Sequence, residues 1–367
     1  VLDPRSGALT PARQTEGGAF FFNFHYTLYL PDPWGQRVVA CVAFAFAALV
    51  LSGVLLHLKR LVPDYFTLRL QASLPRSLLD LHVLMGSAML PFHIMITWSG
   101  LVLTAENALP LIQSGHAAYT QDAPSLPTAP QWAPRASLSL MLQQAKTHMG
   151  FMPTYVLFDG DQTTFSGIVK NSLNANDLSV VFDSQTGAFV SESATLSSLE
   201  NAFNILNGLH LARSMGPLLR WLWFCGGLAS ATMVASGLVY YTVRQKKQER
   251  VAFNLAQRLN VALIGGLVMS CLSLLALNRL IPVWWEARAV WEVGGFLSIW
   301  ASSLILSLLC APYKSWQIIT WATAITGLAI PVLDIFLLPA AIWPTGLHIT
   351  VNSPCGLTGF FSISLWG

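Results

Sequence analysis

The stretch DLHVLMGSAMLPFHIMITWSG (80–100) decides the reading of this chain, because it is apolar enough for lipid yet keeps His82 and His93 eleven residues apart. Over eleven residues an α-helix advances about 16.5 Å and turns about 1,100°, within roughly 20° of a whole number of turns. On one continuous helix both imidazoles therefore face the same side at two depths. Ionisable groups inside a bilayer are costly and point to function by default.

Composition places this stretch in lipid. The chain is 54% hydrophobic and 10% charged, whereas soluble domains run near a quarter charged. Runs able to cross a hydrocarbon core of about 30 Å fall at roughly 38–58, 78–103, 218–243, 259–278, 294–311 and 316–338, so six spans are expected. Short-loop Lys and Arg residues set orientation. Lys59, Arg60, Arg69, Arg76, Arg244, Lys246, Lys247, Arg250, Arg258 and Lys314 lie in the first, third and fifth loops, half of the 20 basic residues. Those loops are expected in the cytoplasm, and segment 104–217 with both chain ends outside. An external start at residue 1 without a signal peptide implies an additional upstream helix.

The fold expected is mainly α: a polytopic bundle of two pseudo-repeated hairpins plus two further helices, with a small external α+β domain. Its parts are an external segment 1–37, hairpins at 38–103 and 218–278, the external domain with an interfacial helix at 104–217, two helices within 279–338, and an external tail 339–367. LVLSGVLLHLKR (49–60) and MVASGLVYYTVR (233–244) are the repeated helix ends, and LHVLMG at 81 is echoed by LNVALIGG at 259, with Asn260 where His82 stands. In the external domain SLSLMLQQAKTHMG reads as an amphipathic helix, TYVLFDG as a strand, and FDSQTGAFV as strand, turn and returning strand. VLDPRSGAL (1–9) has the same shape as that hairpin.

The histidines select the metal. Zinc, calcium and magnesium sites want thiolate or oxygen partners, which the spans hardly offer; Asp80 and Asp334 are the acids noted near them. Haem iron is satisfied by axial imidazoles and an apolar surround. Two depths imply two haems in series. His57 and His82 are the inner pair; His93 is to be partnered by His25 or His210, each just outside the start of a span, unless those two share one iron and leave His93 a different role. Arg37, Lys59, Arg60, Arg213 and Arg220 are candidates to pair with propionates. No CxxCH motif occurs, so the haems are not covalently attached. Cys41, Cys225, Cys271 and Cys310 sit in apolar spans and Cys355 outside. His116, His148 and His348 read as surface or structural, Met85, Met89 and Met95 as packing, Asp159 and Asp161 as a turn, and Trp221, Trp223, Trp284, Trp285, Trp291, Trp300, Trp316 and Trp321 as interfacial anchors.

FHYTLYLPDPWGQRVV, SGVLLH, LHVLMGSAMLPFHIMITWSGL, LHLARSMGPLLRWLWF and ASGLVYYTVR resemble the PepSY-associated transmembrane proteins, and FDSQTGAFV resembles the end of a PepSY domain. Within them the chain looks closest to the FoxB-type siderophore reductases. Tyr29 departs from the pattern, since many relatives place a second His there. The resemblance implies two haem b groups, electron transfer across a bacterial inner membrane and reduction of ferric siderophore in the periplasm, with no residue performing bond chemistry of its own. The electron donor would be quinol or a cytoplasmic reductase, and nucleic acid is not an expected partner. The alternatives are a non-redox siderophore or iron permease or its accessory, and a membrane-anchored PepSY binding or inhibitory module.

Overall fold

The computed structural model describes residues 15–57, 67–108, 136–174, 177–193, 196–212, 215–245 and 251–337. His116, His348, Cys355, the 1–9 strand pair and the 339–367 tail lie outside them. The protein is mainly helical with one small antiparallel sheet. Among the described residues five helices are long and apolar enough to cross a membrane: Trp34–Leu56, Pro217–Arg244, Phe253–Leu280, Arg288–Leu309 and Pro312–Leu337. A bent helix pair makes a sixth when its two halves are taken as one span. Leu74–Ala88 and Leu90–Thr104 meet at 68°.

That break corrects the single-helix expectation for His82 and His93. Pro91 has no N–H to give to the Ser87 carbonyl, and its ring crowds that carbonyl. The chain leaves helical geometry at Met89, so α3 (Leu74–Ala88) and α4 (Leu90–Ala108) are separate helices and the eleven-residue phase is lost between them.

The described residues form two compact units. The first comprises residues 15–30, 68–82 and 234–337. It holds α1 (Ala19–Thr27), the inner part of α3 and the end of α7 (Pro217–Gln245), followed by α8 (Val251–Asn260), a π-helical segment Val261–Gly266, α9 (Leu267–Leu280), α10 (Arg288–Leu309) and α11 (Pro312–Leu337). Phe20 of α1 is stacked on Phe24 and packs against Phe296 of α10. Phe24 in turn meets Trp300 edge-on. The indole N–H of Trp300 donates to the Ala262 carbonyl in the π segment, so Trp300 is an internal packing residue. Trp316 lies against Gly265. Arg258 caps the end of α10 by donating to the carbonyls of Ser307, Leu308 and Cys310, where the helix dipole favours a cation.

Two ion-pair clusters fix this unit. Asp80 pairs with Arg69 at 2.9 Å and Arg76 at 3.0 Å. At the other end Arg288 and Glu292, 0% and 1% exposed, form an i,i+4 pair at 3.2 Å. Glu292 accepts from the Thr15 hydroxyl, the Glu16 N–H and Asn278, while Tyr29 donates its hydroxyl to Glu16. The chain is thus tied down on both sides of α1. Burial first, then the Glu16 carboxylate, holds the Tyr29 hydroxyl well above its ordinary pKa. Arg279 and Asp334 join α9 to α11 through bonds of 2.6 and 3.1 Å.

The second unit comprises the described residues within 31–57 and 83–233. It contains α2 (Trp34–His57), which packs along α4, and the α+β domain. In that domain β1 (Tyr155–Asp159), β2 (Gln162–Ile168), β3 (Asp177–Asp183) and β4 (Phe189–Glu192) form an antiparallel sheet in sequence order. One face carries Phe165, Val180 and Phe182, which α5 (Leu138–Met149) covers with Met141, Ala145 and Met149. The helix ends at Gly150 with φ 74°, a left-handed position suited to glycine. The expected FDSQTGAFV hairpin is the β3–β4 turn. Asp183 Oδ1 accepts from Gln185 N–H, Thr186 N–H and the Thr186 hydroxyl at 2.7–2.9 Å, and Gly187 takes φ 74°. His148 stacks on Phe189 and bonds Glu192 at 3.1 Å.

Two expectations follow. Glu292→Leu strands the buried Arg288 charge and costs about 3–5 kcal/mol, measurable as a lowered unfolding midpoint in detergent. Adding Arg288→Met recovers the stranded-charge part but not the Thr15 and Glu16 tether. In the sheet domain, the Thr186 backbone and hydroxyl bonds, with a smaller contribution from Gln185, hold the Asp183 carboxyl below its ordinary range. A depressed carboxyl pKa gives stability that is present above the unfolded value near 3.9 and lost as pH falls through the folded one. Asp183→Ala should therefore lower the domain's Tm at pH 7 and flatten its decline on acidification.

Candidate functional site

α7 meets α4 and the end of α3 where side chains lie over glycines. Gly226, Ser230 and Met233 recur at i, i+4 and i+7 on α7, one face of a helix. A Cβ on Gly226 would sit 2.7 Å from the Phe92 ring, and one on Gly86 would lie 3.0 Å from Met233 Sδ. The missing side chains at these glycines leave room for the Phe92 ring and the Met233 thioether. Phe92 also meets Trp223 edge-on, with ring centroids 5.9 Å apart.

His93 lies within this contact and is 0% exposed. Its Nε2 is 3.2 Å from the Met85 carbonyl and its Nδ1 is 2.9 Å from the Ser230 hydroxyl. A carbonyl only accepts, so Nε2 carries a proton; Ser230 lies 2.9 Å from both Nδ1 and the Gly226 carbonyl and has one proton for the two. Ligation through Nε2 requires giving up the Met85 bond.

His210 closes α6 (Ser198–Leu211), a short helix started by a Ser197–Glu200 capping box. Trp223 donates its indole N–H to the Leu209 carbonyl at 2.7 Å, fixing the end of α6; this tryptophan is a structural anchor. The His210 ring lies on Gly100 of α4, whose Cβ would be 3.0 Å from the ring carbon Cε1. Its Nδ1 is 3.0 Å from Ser99 Oγ. Ser99 has one proton and directs it to the Met95 carbonyl at 2.7 Å, so Nδ1–H donates to Ser99 and the basic lone pair falls on Nε2. Metal-binding histidines are oriented in this way.

His82 sits in the first unit against Gly237, where a Cβ would be 2.8 Å from its Nδ1. Asn260, its counterpart in the second hairpin, instead donates to the Leu238 carbonyl at 3.1 Å.

The face of α4 that carries His93 also carries Thr97 and Gly100, at i+4 and i+7. Thr97 is 8% exposed and its hydroxyl has no hydrogen-bond partner among the described residues. Ser87, Ser99, Thr104, Thr242, Ser270 and Ser273 all return their hydroxyls to carbonyls of their own helices. An unmet buried hydroxyl costs about 1–3 kcal/mol.

The remaining candidates are scattered. His25 is exposed on α1 in the first unit. His57 ends α2, but its side chain, like Lys59, Arg60 and Arg213, lies outside the described residues. Arg37 stacks over Trp34 at 5.4 Å, and Arg220 is exposed in the first turn of α7. Cys41, Cys225, Cys271 and Cys310 are free thiols. Sequence reading missed Ser99, Ser230 and Thr97 as partners of the histidine face, and it missed Glu292 as a buried acid.

The donor set fits haem. Glycines admit the imidazoles to the helix backbone, a serine orients His210, the surroundings are apolar, and an orphaned hydroxyl lies between His93 and Gly100. Among the described residues no three His, Cys, Asp or Glu side chains gather around a bare metal ion. Residues 1–244 match the family described as the PepSY-associated TM region. The chain belongs to this family. The part matched to the PepSY-associated family contains all five candidate histidines and ends at the last residue of the α7 span. No curated protein matches the chain.

The glycine contacts can be tested by neighbours. A Cβ on Gly226 meets the Phe92 ring at 2.7–2.8 Å, while one on Gly227 meets nothing within 4 Å. Gly226→Ala should cost about 1–3 kcal/mol by overpacking, whereas Gly227→Ala should be neutral or gain up to about 1 kcal/mol of helix propensity. Thermal unfolding in detergent compares the two.

Proposed function

We propose that this PepSY-associated protein is a bacterial inner-membrane reductase that binds two haem b groups without covalent attachment and passes electrons outward to a ferric siderophore in the periplasm. The observation that carries the reading is the seating of His82 on Gly237 and His210 on Gly100, with Ser99 turning the basic nitrogen of His210 away from its own contact. Packing alone does not require an imidazole at a helix glycine twice.

His57 and His82 would hold the inner group, and His93 and His210 the outer one, since His210 reaches the His93 face of α4 while His25 is exposed on α1. Arg37, Lys59, Arg60, Arg213 and Arg220 would supply cations for propionates. When bound, haem iron supplies reversible one-electron chemistry. The chain's own residues orient imidazoles, exclude water and set the local field. Reduction of Fe(III) to Fe(II) weakens a chelate of hard oxygen donors, and iron leaves the siderophore. The donor is quinol or a separate cytoplasmic reductase.

One observation favours a second reading. His93 has both nitrogens engaged by protein groups, as a packing histidine does. A chain built that way throughout would be colourless, and a non-redox permease partner or an anchored PepSY module would be its function. Purified protein should instead show about two haems per chain by pyridine haemochrome. His82→Ala and His93→Ala should each remove about one. A colourless wild-type protein sinks the proposal, and retention of both haems in both variants sinks the ligand assignment.

A further inference from the structure

We infer that Thr97 is a haem-binding residue whose hydroxyl donates to the outer haem and raises its reduction potential; the inference rests on the proposed di-haem reading. The observation is the departure of one hydroxyl from a rule its neighbours obey. A helical Ser or Thr in an apolar setting ordinarily bonds the carbonyl three or four residues back, as Ser99 and Thr104 do on the same helix. Thr97 does not, although it is 8% exposed and no group among the described residues accepts its proton. Its position is specific as well. It lies one turn beyond His93 and nearly one turn before Gly100, on which His210 rests, so the hydroxyl belongs to the same helix face as both imidazoles proposed for the outer group.

Macrocycle carboxylates are the acceptors such a group carries, and the described residues around Thr97 offer none to it. A donated O–H places the positive end of its dipole toward the haem. That field stabilises the form with one more electron, so removing it lowers the midpoint potential.

The test uses full-length protein purified with its haems, in wild-type, Thr97→Val and Thr97→Ser forms. Valine keeps the shape and removes the hydroxyl; serine restores it. Haem content is measured by pyridine haemochrome and both midpoints by potentiometric titration of the visible spectrum. Thr97→Val is expected to keep two haems and to lower one midpoint while the other stays, and Thr97→Ser to return it. Loss of one haem in the valine variant with retention in the serine variant also supports the assignment. Unchanged midpoints in Thr97→Val, an equal shift of both, or haem loss in both variants overturns it. A colourless wild-type protein overturns the underlying reading instead, which keeps the two failures apart.

Discussion

Lipid offers no hydrogen-bond partner, so every polar group on these helices must be satisfied by the chain or by something the chain binds. Small hydroxyls meet that requirement locally, by folding back onto their own helix. An imidazole reaches too far from its backbone to do so. His93 and His210 therefore look across to hydroxyls on neighbouring helices, Ser230 and Ser99, while the Met85 carbonyl sets which nitrogen of His93 holds the proton. The polar economy of the bundle and the chemistry of its histidines are the same arrangement seen at two scales.

Glycine makes that arrangement possible. Gly100 and Gly237 place backbone where a side chain would otherwise hold the ring away. Gly226 does the same for Phe92, whose ring braces Trp223 and through it the end of α6. The position of His210 thus depends on a chain of contacts running from a helix cap, through an indole, to a glycine on another helix. The Arg288–Glu292 pair does different work. It ties the segment before α1 to α9 and α10, beyond the part of the chain that matches the family.

The spans and the sheet were legible because their signals are long or periodic: unbroken apolar runs, an amphipathic α5, and a turn with aspartate and glycine at fixed places. The site was legible only as residue types. Counting apolar runs began the fifth span at 294, which hid Glu292, yet α10 starts at Arg288 and the i,i+4 Arg–Glu spacing was present to be read. Trp223 and Trp300 looked interfacial by type, whereas their indole N–H groups serve internal carbonyls. The orphaned hydroxyl of Thr97 follows from a rotamer and from what surrounds it, and no sequence pattern carries that.

The largest departure, the break between α3 and α4, also explains how His93 is held. Eight residues of straight helix rise about 12 Å, too far for an imidazole at position 93 to reach the carbonyl of residue 85. His93 Nε2 nonetheless lies 3.2 Å from the Met85 carbonyl, which the 68° bend at Met89 brings within reach. Pro91 thus has two consequences with one cause. It ends the phase relation that would have placed His82 and His93 on one face, and it folds a backbone acceptor under the ring of His93. An iron drawn to Nε2 would have to displace that carbonyl, so the bend sets the free-energy cost of ligation at this histidine.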